Sequence, residues 1–319
     1  MFNELSLVQV NSILAARSIL ETFVKSSIKA KEFGFTEIRL HENSLQNMYQ
    51  LSLFENYRID NWLKDKEVNS DLQDRFREII TSSPLISKED IVDIELFERS
   101  EFYKTIDITQ YNAFGLGAAY VYGTLANSLN THQEWLKSFV NIQHYSISND
   151  EIENTCEVEI LHFSSDKILE THLPWIENEQ KESLRKSIDL WIKKEEYFPN
   201  ILFGVDVEIQ LKRIGLSKKF DQIFLCFKKL DAYAKTWNEG GFSLNDLKSQ
   251  TLMDVSGESE TTMNKFSVER KFRLSNGIKE QFEFHAKFLD MRIYFLPNEK
   301  THNITVGYVG KHLRTSLYC

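Results

Sequence analysis

The sequence predicts an α+β protein in which a mainly helical N-terminal region carries a C-terminal antiparallel β-meander. Through most of the first 250 residues, apolar side chains recur at helical spacing, whereas after residue 265 they alternate with polar ones. The segment MDVSGESETTMN between the two patterns is polar and rich in Gly, Ser and Thr. We therefore predict an acidic, mainly α-helical body over 1–252, a linker over 253–264 and a basic antiparallel β module over 265–319.

The body is expected to consist of helices that each bury one face. The first helix ends near Gly34, and a second, capped by Ser70, closes before Pro84. The Gly-x-Gly pair in 114–123 lacks the third glycine and the leading strand of a dinucleotide-binding loop, so we interpret this segment as a buried helix. The face of the first helix is Val10, Ile13, Ala16, Leu20 and Phe23.

Farther along the body, apolar and acidic residues alternate over 155–163, which predicts a strand. Two helices follow, one around residue 188 and one over 217–241. Their apolar faces are Leu184, Ile188 and Trp191 for the first, and Phe220, Ile223, Phe227, Leu230 and Trp237 for the second.

The β module begins with a strand that ends at Arg273, and the following Ser275-Asn276-Gly277 favours a type I′ hairpin turn. Further strands over 291–296 and 303–309 complete a predicted four-stranded meander with one apolar face. The return strand carries Phe282, Phe284, Ala286 and Phe288 on one face and Glu283, His285 and Lys287 on the other.

Charge is unevenly divided along the chain. The net charge is −9, which argues against general adhesion to nucleic acid or anionic membranes. Residues 261–319 nevertheless contain ten Lys or Arg and five Asp or Glu, a balance of +5, and the rest of the chain carries −14. This division favours local binding of a polyanion by the β module, with ordinary solvated faces as the alternative.

Several classes of protein are not favoured by the sequence. The three cysteines have no paired spacing, so neither a disulfide framework nor a zinc site is expected. No apolar run reaches membrane-spanning length and the N-terminus lacks secretory-signal features, which predicts a cytoplasmic protein without a membrane partner. Asp206 and Glu208 resemble part of a metal-nuclease motif, but Lys212 follows Glu208 by four residues instead of two. We expect no metal and no cofactor.

The candidate site consists of basic and aromatic residues of the β module. Alternation places Arg292 and Tyr294 on the polar side of their strand, near His285 and Lys287 if the register is right. The chain end adds Lys311, His312, Arg314 and Tyr318. Arg and Lys can hold a phosphodiester and stabilise the charge of its transition state, and His or Tyr can move a proton. The alternative is a solvated sheet face whose basic residues protect an edge.

The run HAKFLDMRIYFLPNEKTHNITVGYVGKHLRT, residues 285–315, resembles the end of the RelE/HigB-type toxin fold, whose members are small ribonucleases. The likeness extends over about the last fifty residues of the chain. This resemblance implies that Arg292 binds phosphate, that Lys287 and Lys311 contact the RNA backbone or transfer protons, and that Tyr318 corresponds to a terminal tyrosine. The whole chain also looks like a component of a bacterial defence system.

Two functions are therefore open. The first is a RelE-like, metal-independent endoribonuclease that binds RNA rather than DNA, in an antiphage defence or stress response. The second is a non-enzymatic subunit that docks on a protein partner or on nucleic acid. The sequence leaves the oligomeric state open. For the ribonuclease, the candidate catalytic residues are His285, Lys287, Arg292, Lys311 and His312, and the candidate nucleic-acid contacts are Tyr294, Arg314 and Tyr318.

Overall fold

The computed structural model describes residues 1–35, 38–41, 48–55, 57–81, 85–86, 100–147, 153–288 and 291–315. Their helices and strands confirm the α+β class. The chain divides into two compact units. The described residues up to Glu177 form the N-terminal unit, and those from Asn178 form the C-terminal unit. The boundary thus falls near residue 178, within a helix, and not in the segment 253–264.

The N-terminal unit begins with helices and very short strands. In chain order these are a 3-10 turn (Glu4–Ser6), α1 (Ile13–Glu32), β1 (Leu40–His41), a 3-10 turn (Met48–Gln50), β2 (Ser52–Phe54), β3 (Tyr57–Arg58), α2 (Ile59–Trp62), α3 (Ser70–Thr81) and β4 (Leu85–Ile86). As predicted, α1 buries Ala16, Leu20 and Phe23.

The cap of α3 differs from the prediction by one residue. The Oδ1 atom of Asn69, and not the hydroxyl of Ser70, accepts the backbone N–H groups of Asp71 and Leu72, at 2.8 and 3.2 Å. Both residue types are favourable caps, so the sequence pattern alone does not distinguish them.

A five-stranded sheet completes the N-terminal unit, and of its strands the sequence predicted only the one at 155–163. The elements are β5 (Ser100–Ile106), β6 (Thr109–Asn112), α4 (Phe114–Tyr122), β7 (Ala126–Asn127), a 3-10 turn (Gln133–Leu136), β8 (Phe139–Ile147), β9 (Glu153–Phe163) and α5 (Asp166–Glu170). The strand order is β6-β5-β8-β9-β7, with β7 parallel to β9 and the other pairs antiparallel.

The Gly-x-Gly segment forms helix α4, as predicted, and its glycines serve close packing. A Cβ atom on Gly117 would overlap the ring of Phe102, and one on Gly115 would overlap the carbonyl oxygen of Phe2. These positions therefore accept only glycine without a shift of their neighbours.

The C-terminal unit contains the candidate site. Its elements, the first of which begins in the N-terminal unit, are α6 (Leu173–Tyr197), β10 (Ile201–Phe203), α7 (Val207–Leu211), α8 (Ser217–Thr236), α9 (Leu244–Thr251), β11 (Val255–Gly257), α10 (Glu260–Phe266), a 3-10 turn (Ser267–Arg270), β12 (Lys271–Arg273), β13 (Lys279–Gln281), β14 (Phe284–Phe288), β15 (Met291–Asn298) and β16 (Asn303–Lys311). No helix among the described residues is long and apolar enough to cross a membrane.

The segment 253–264 is not a linker. It contains β11 and the start of α10, and β11 pairs antiparallel with β14 as the last strand of a five-stranded sheet ordered β10-β16-β15-β14-β11. At the opposite edge, β10 runs parallel to β16. Small polar residues made this segment resemble a linker, but its residues 255–257 pair with β14 in the sheet.

The predicted hairpin at 275–277 is present but does not join the main sheet. Strand β12 pairs with β13 in a separate two-stranded sheet, so the predicted four-stranded meander has three strands in the main sheet. Among the three residues of this turn, only Gly277 has a positive φ, +82°. Its N–H donates to the carbonyl of Leu274 at 2.9 Å. A type I′ turn requires two such residues, so the turn is of another type.

The apolar face of the main sheet packs on α8, which buries its predicted face. The buried residues from the helix are Phe220, Ile223, Phe227, Leu230 and Trp237, and those from the sheet include Ala286, Phe288, Ile293, Phe295 and Val306. Phe282 differs from the prediction, because it precedes β14 and packs on Phe272, with ring centroids 5.2 Å apart.

The buried face of α6 also differs from the predicted one. Leu184 and Ile188 are 42% and 41% exposed, whereas Ser187 and Leu190 are buried. Ser183 is buried too, and its hydroxyl donates to the carbonyl of Ile214. The helix thus buries serines whose hydroxyls donate to backbone carbonyls. Hydrophobicity alone does not predict which face of such a helix is buried.

Candidate functional site

The strand register brings four of the predicted site residues together. Across β14 and β15, His285 lies opposite Tyr294 and Lys287 lies opposite Arg292. Antiparallel partners project from the same side of a sheet, so these four residues share one face, as the alternation predicted. We call this side, with Ser256 from β11 and Tyr308 from β16, the polar face.

Strand β11 supplies residues that the sequence analysis missed. Ser256 lies directly opposite His285. Glu258 follows two residues later, and its N–H donates to the carbonyl of Glu283 at 2.8 Å, which extends the strand pairing. Asp254, Ser256 and Glu258 alternate with Val255 and Gly257, a period of two that could have revealed the strand.

The polar face is largely covered, in contrast to the solvated face considered above. The 3-10 turn over 267–270 and the β12–β13 hairpin supply Arg270 and Phe272, and the Phe272 ring stacks on Tyr308 at 5.2 Å. His285 is 6% exposed and Tyr294 is 1% exposed. The sequence predicted that the Tyr294 ring contacts nucleic acid. The ring is instead covered, because Phe272 also packs on it, with ring centroids 5.6 Å apart.

A buried carboxylate organises the covered part. Oε1 of Glu258 accepts a hydrogen bond from the Tyr294 hydroxyl at 2.5 Å and lies 2.8 Å from Nε of Arg270. Both side chains of the ion pair are buried, at 5% exposed for the carboxylate and 0% for the guanidinium. Burial and the bond to Glu258 raise the pKa of Tyr294 above its ordinary value, which keeps its hydroxyl protonated.

The 3-10 turn over 267–270 and the β12–β13 hairpin together form what we call the cover. Arg270 also connects this cover to the residues that follow β16. Its Nη2 donates to the carbonyl of Arg314 at 2.8 Å, and its Nη1 donates to the carbonyl of Phe266 at 3.3 Å. A buried guanidinium is tolerated when its charge and donors are met in this way. In the sequence, Arg270 contributes only to the basic balance of residues 261–319.

His285 lies between the covered part and the open part. Its Nδ1 is 3.7 Å from Oε1 of Glu258, and its Nε2 is 3.3 Å from Oγ of Ser256. Burial, and then the positive charges of Arg292, Lys287, His312 and Arg270, lower the pKa of His285 to about 3. The imidazole is therefore neutral at pH 7 and able to accept a proton.

The open part consists of Lys287, Arg292 and His312, which we call the basic rim. Nζ of Lys287 lies 3.6 Å from Oδ2 of Asp254, and these side chains are 29% and 23% exposed. Arg292 is half-buried and its Nη1 donates to the carbonyl of Met291 at 2.8 Å, whereas His312 is exposed. Lys311 is exposed too, but it is the strand partner of Met291, a residue of the apolar core, so it projects from the opposite side of the sheet, contrary to the prediction. Partial burial of the ring and the charge of Arg292 lower the pKa of His312.

The remaining predicted contacts lie elsewhere. The Arg314 side chain is 64% exposed, its Nε donates to Oε1 of Glu269 at 2.7 Å, and its guanidinium covers the ring of Phe266 at 5.4 Å. Tyr318 lies outside the described residues. Arg314 is thus reachable, but its charge is already balanced by a carboxylate.

The carboxylates considered for a metal nuclease form ion pairs. Asp206 binds Arg273, and Oε1 of Glu208 lies 2.6 Å from Nζ of Lys212. Over the described ranges, no three His, Cys, Asp or Glu side chains come together as a possible metal site.

The burial of His285 gives stability a defined pH dependence. Its pKa of about 3 in the folded protein lies below the unfolded value near 6.5, so its contribution is present above pH 6.5 and is lost as pH falls toward 3. Between pH 6.5 and 5, we expect this group to lower the free energy of unfolding by about 2 kcal/mol. Urea unfolding of the full chain at both pH values measures the loss.

His285→Gln is the matched variant for this measurement. It lacks the titrating group but leaves the other charges that face the imidazole, which are Glu258 after β11, Arg270 on the cover, Lys287 on β14, Arg292 on β15 and His312 after β16. Its stability should therefore fall less on acidification than that of the original protein. Equal losses in the two proteins would show that His285 is not buried as a neutral imidazole.

Comparison with models of known protein families, with curated proteins and with solved structures finds no match for this chain. The chemistry of the site must therefore be derived from its own residues.

Proposed function

We propose that the C-terminal unit binds the phosphodiester backbone of RNA at the basic rim and cleaves it without a metal ion, as a cytoplasmic component of a bacterial defence or stress response. The observation that carries the proposal is the register that sets Lys287 opposite Arg292 beside a neutral His285. Cations around a proton acceptor suit an anionic ester. The resemblance of 285–315 to RelE/HigB-type toxins agrees with this chemistry.

In the proposed reaction, the ribose 2′-oxygen attacks the adjacent phosphorus while the P–O5′ bond breaks. His285 takes the proton of the 2′-hydroxyl, and His312 gives a proton to the leaving 5′-oxygen. Lys287 holds the phosphate, and Arg292 stabilises the charge that develops on its oxygens. The products are a 2′,3′-cyclic phosphate and a 5′-hydroxyl.

The geometry favours His285 over Lys287 as the base. The Glu258 carboxylate favours a proton on Nδ1, the nearer ring nitrogen, so Nε2 carries the lone pair and accepts from Ser256. Lys287 instead forms an ion pair with Asp254, with Nζ and Oδ2 3.6 Å apart. A phosphate bound at the rim would raise the pKa of His285, because a negative charge stabilises the imidazolium.

Salt dependence tests the binding step. If Lys287 and Arg292 each contact one phosphate, the affinity for a single-stranded RNA should fall with a log–log slope of about −1.4 against salt concentration. Lys287→Ala should weaken binding and make the slope shallower by about 0.7. Fluorescence anisotropy with a labelled oligonucleotide in EDTA, read alongside gel analysis of cleavage, measures binding and the metal-independent reaction together.

Lys300→Ala is the matched control, since Lys300 is an exposed lysine at the β15–β16 turn, outside the basic rim. This variant should keep the original slope. RNA binding with no salt dependence, or equal slopes for all three proteins, would contradict the proposal. A face that docks on a protein partner would show little dependence on salt and no cyclic phosphate product.

A further inference from the structure

A second possible nucleophile lies beside the proposed base. Ser256 and His285 are direct partners in the β11–β14 pairing, with Oγ and Nε2 3.3 Å apart. On the far side of the ring, Nδ1 faces Oε1 of Glu258 at 3.7 Å. A hydroxyl, an imidazole and a carboxylate in this order form the arrangement that activates a serine, and such contacts are often longer before substrate binds.

The surroundings suit each of the three roles. Glu258 is held by Arg270 and by the Tyr294 hydroxyl, so its carboxylate has a fixed position. Ser256 is half-buried on an edge strand, where a substrate can approach it from solvent. The cations of the basic rim, Lys287 and Arg292, act on His285 and would hold an anionic group next to the hydroxyl.

A serine–histidine contact alone does not make such a site, as the N-terminal unit shows. There, Oγ of Ser128 lies 2.6 Å from Nε2 of His162, closer than in the Ser256 pair. Both residues are 0% exposed, and Nδ1 of His162 faces the carbonyl of Lys137 at 2.8 Å. That pair is a buried structural hydrogen bond, whereas Ser256 combines partial exposure, a carboxylate and neighbouring cations.

We propose that Ser256, His285 and Glu258 act as nucleophile, base and positioning residue, and that this triad hydrolyses phosphodiesters that carry no 2′-hydroxyl. The proposal rests on the proposed function only for the phosphate-holding role of Lys287 and Arg292. It adds a second activity, because the attacking oxygen belongs to the protein and not to the substrate.

The reaction has two steps, which bis(p-nitrophenyl) phosphate illustrates as the substrate. Oγ of Ser256 attacks phosphorus and gives its proton to Nε2 of His285, while the P–O bond to one nitrophenol breaks and that group leaves with the electron pair and the proton. Water then attacks the phosphorus of the p-nitrophenyl phosphate now esterified to Ser256. His285 takes a proton from the water and gives it to Oγ as the bond between Oγ and phosphorus breaks. The products are p-nitrophenol and p-nitrophenyl phosphate.

Hydrolysis of bis(p-nitrophenyl) phosphate by the full chain in EDTA tests the proposal, with release of p-nitrophenol followed at 405 nm. Ser256→Ala should reduce turnover at least about 100-fold, whereas the control Ser249→Ala, at an exposed serine of α9, should not change it. A fluorophosphonate probe should label the original protein at Ser256, identified by peptide mass mapping, and should not label His285→Gln.

Glu258→Gln tests the positioning role through a pH profile. Without the carboxylate, the imidazolium of His285 is less stable, so the acidic limb of the kcat profile should move to lower pH. A structural role alone would lower the amount of folded protein without moving this limb.

The outcomes separate this proposal from the ribonuclease. If Ser256→Ala retains full turnover, or if the original protein neither hydrolyses the diester nor takes the label, the triad is overturned, even when RNA binding and cleavage persist. If the original protein is labelled at Ser256 but does not cleave RNA, the ribonuclease proposal is overturned instead. Circular dichroism of Ser256→Ala confirms folding, and the labelling result on the original protein does not depend on any variant.

Discussion

Arg270→Met is expected to lower the free energy of unfolding by about 3–5 kcal/mol, the range found when one partner of a buried ion pair is removed. The substitution leaves the Glu258 carboxylate buried with the Tyr294 hydroxyl as its remaining donor at hydrogen-bond distance. It also removes the hydrogen bonds from Arg270 to the carbonyls of Phe266 and Arg314. Urea unfolding of the full chain at pH 7 measures the change.

Arg273 provides the control three residues farther along the chain. It forms an ion pair with Asp206, but these side chains are 48% and 36% exposed. Because exposed ion pairs contribute about 0–1 kcal/mol, Arg273→Met should cost no more than that. Adding Glu258→Gln to Arg270→Met should recover part of the loss by removing the unpaired charge. Equal effects of the Arg270 and Arg273 variants would refute a buried ion pair.

The parts of the fold that the sequence predicts well are those with a single apolar face. Helix α8 and the strands around Ala286 and Ile293 bury the residues that period counting selects. The same alternation also places His285 and Lys287 opposite Tyr294 and Arg292. In these elements each residue has one of two environments, so hydrophobicity alone determines which way it points.

The elements that the sequence misses are short, polar or decided by distant contacts. Strand β11 has three residues and no apolar stripe, and its place at the sheet edge depends on pairing with β14, more than twenty-five residues later. Arg270 gains its importance from a carboxylate twelve residues earlier and a carbonyl at Arg314. Local patterns carry no information on such pairings, because they arise only when the cover closes over the sheet.

The burial of Tyr294 shows the limit of reading a polar face as a surface. Alternation correctly separates it from the apolar core, but the cover over 267–273 makes a second buried layer on that side. Within that layer the Tyr294 hydroxyl donates to Glu258 and the Arg270 guanidinium pairs with the same carboxylate, whereas Nδ1 of His285 is buried without a hydrogen bond to any described residue. As a result, the part of the polar face that remains open to a ligand is the rim.

That rim makes Arg292 the residue whose loss should affect RNA cleavage most. Arg292→Ala is expected to slow single-turnover cleavage about 10²–10³-fold, the effect of removing one preorganised donor from a developing oxyanion. Arg292→Lys keeps the charge but not the planar pair of donors. Its cleavage rate should therefore lie between those of the original protein and Arg292→Ala. Gel quantification of the cyclic phosphate product at saturating protein measures the chemical step.

The control for charge is Arg185→Ala, since Arg185 is an exposed arginine on α6 that pairs with Glu182. It changes the net charge by the same amount and should leave cleavage unchanged. Binding must be read separately, because Arg292 also contributes to the salt slope of RNA affinity. If Arg292→Ala weakens binding but cleaves at the original rate once saturated, Arg292 holds the phosphate without stabilising the transition state. The stabilisation of the phosphorane would then have to come from Lys287, the other rim cation on the polar face, and Lys287→Ala should show the loss of rate in its place.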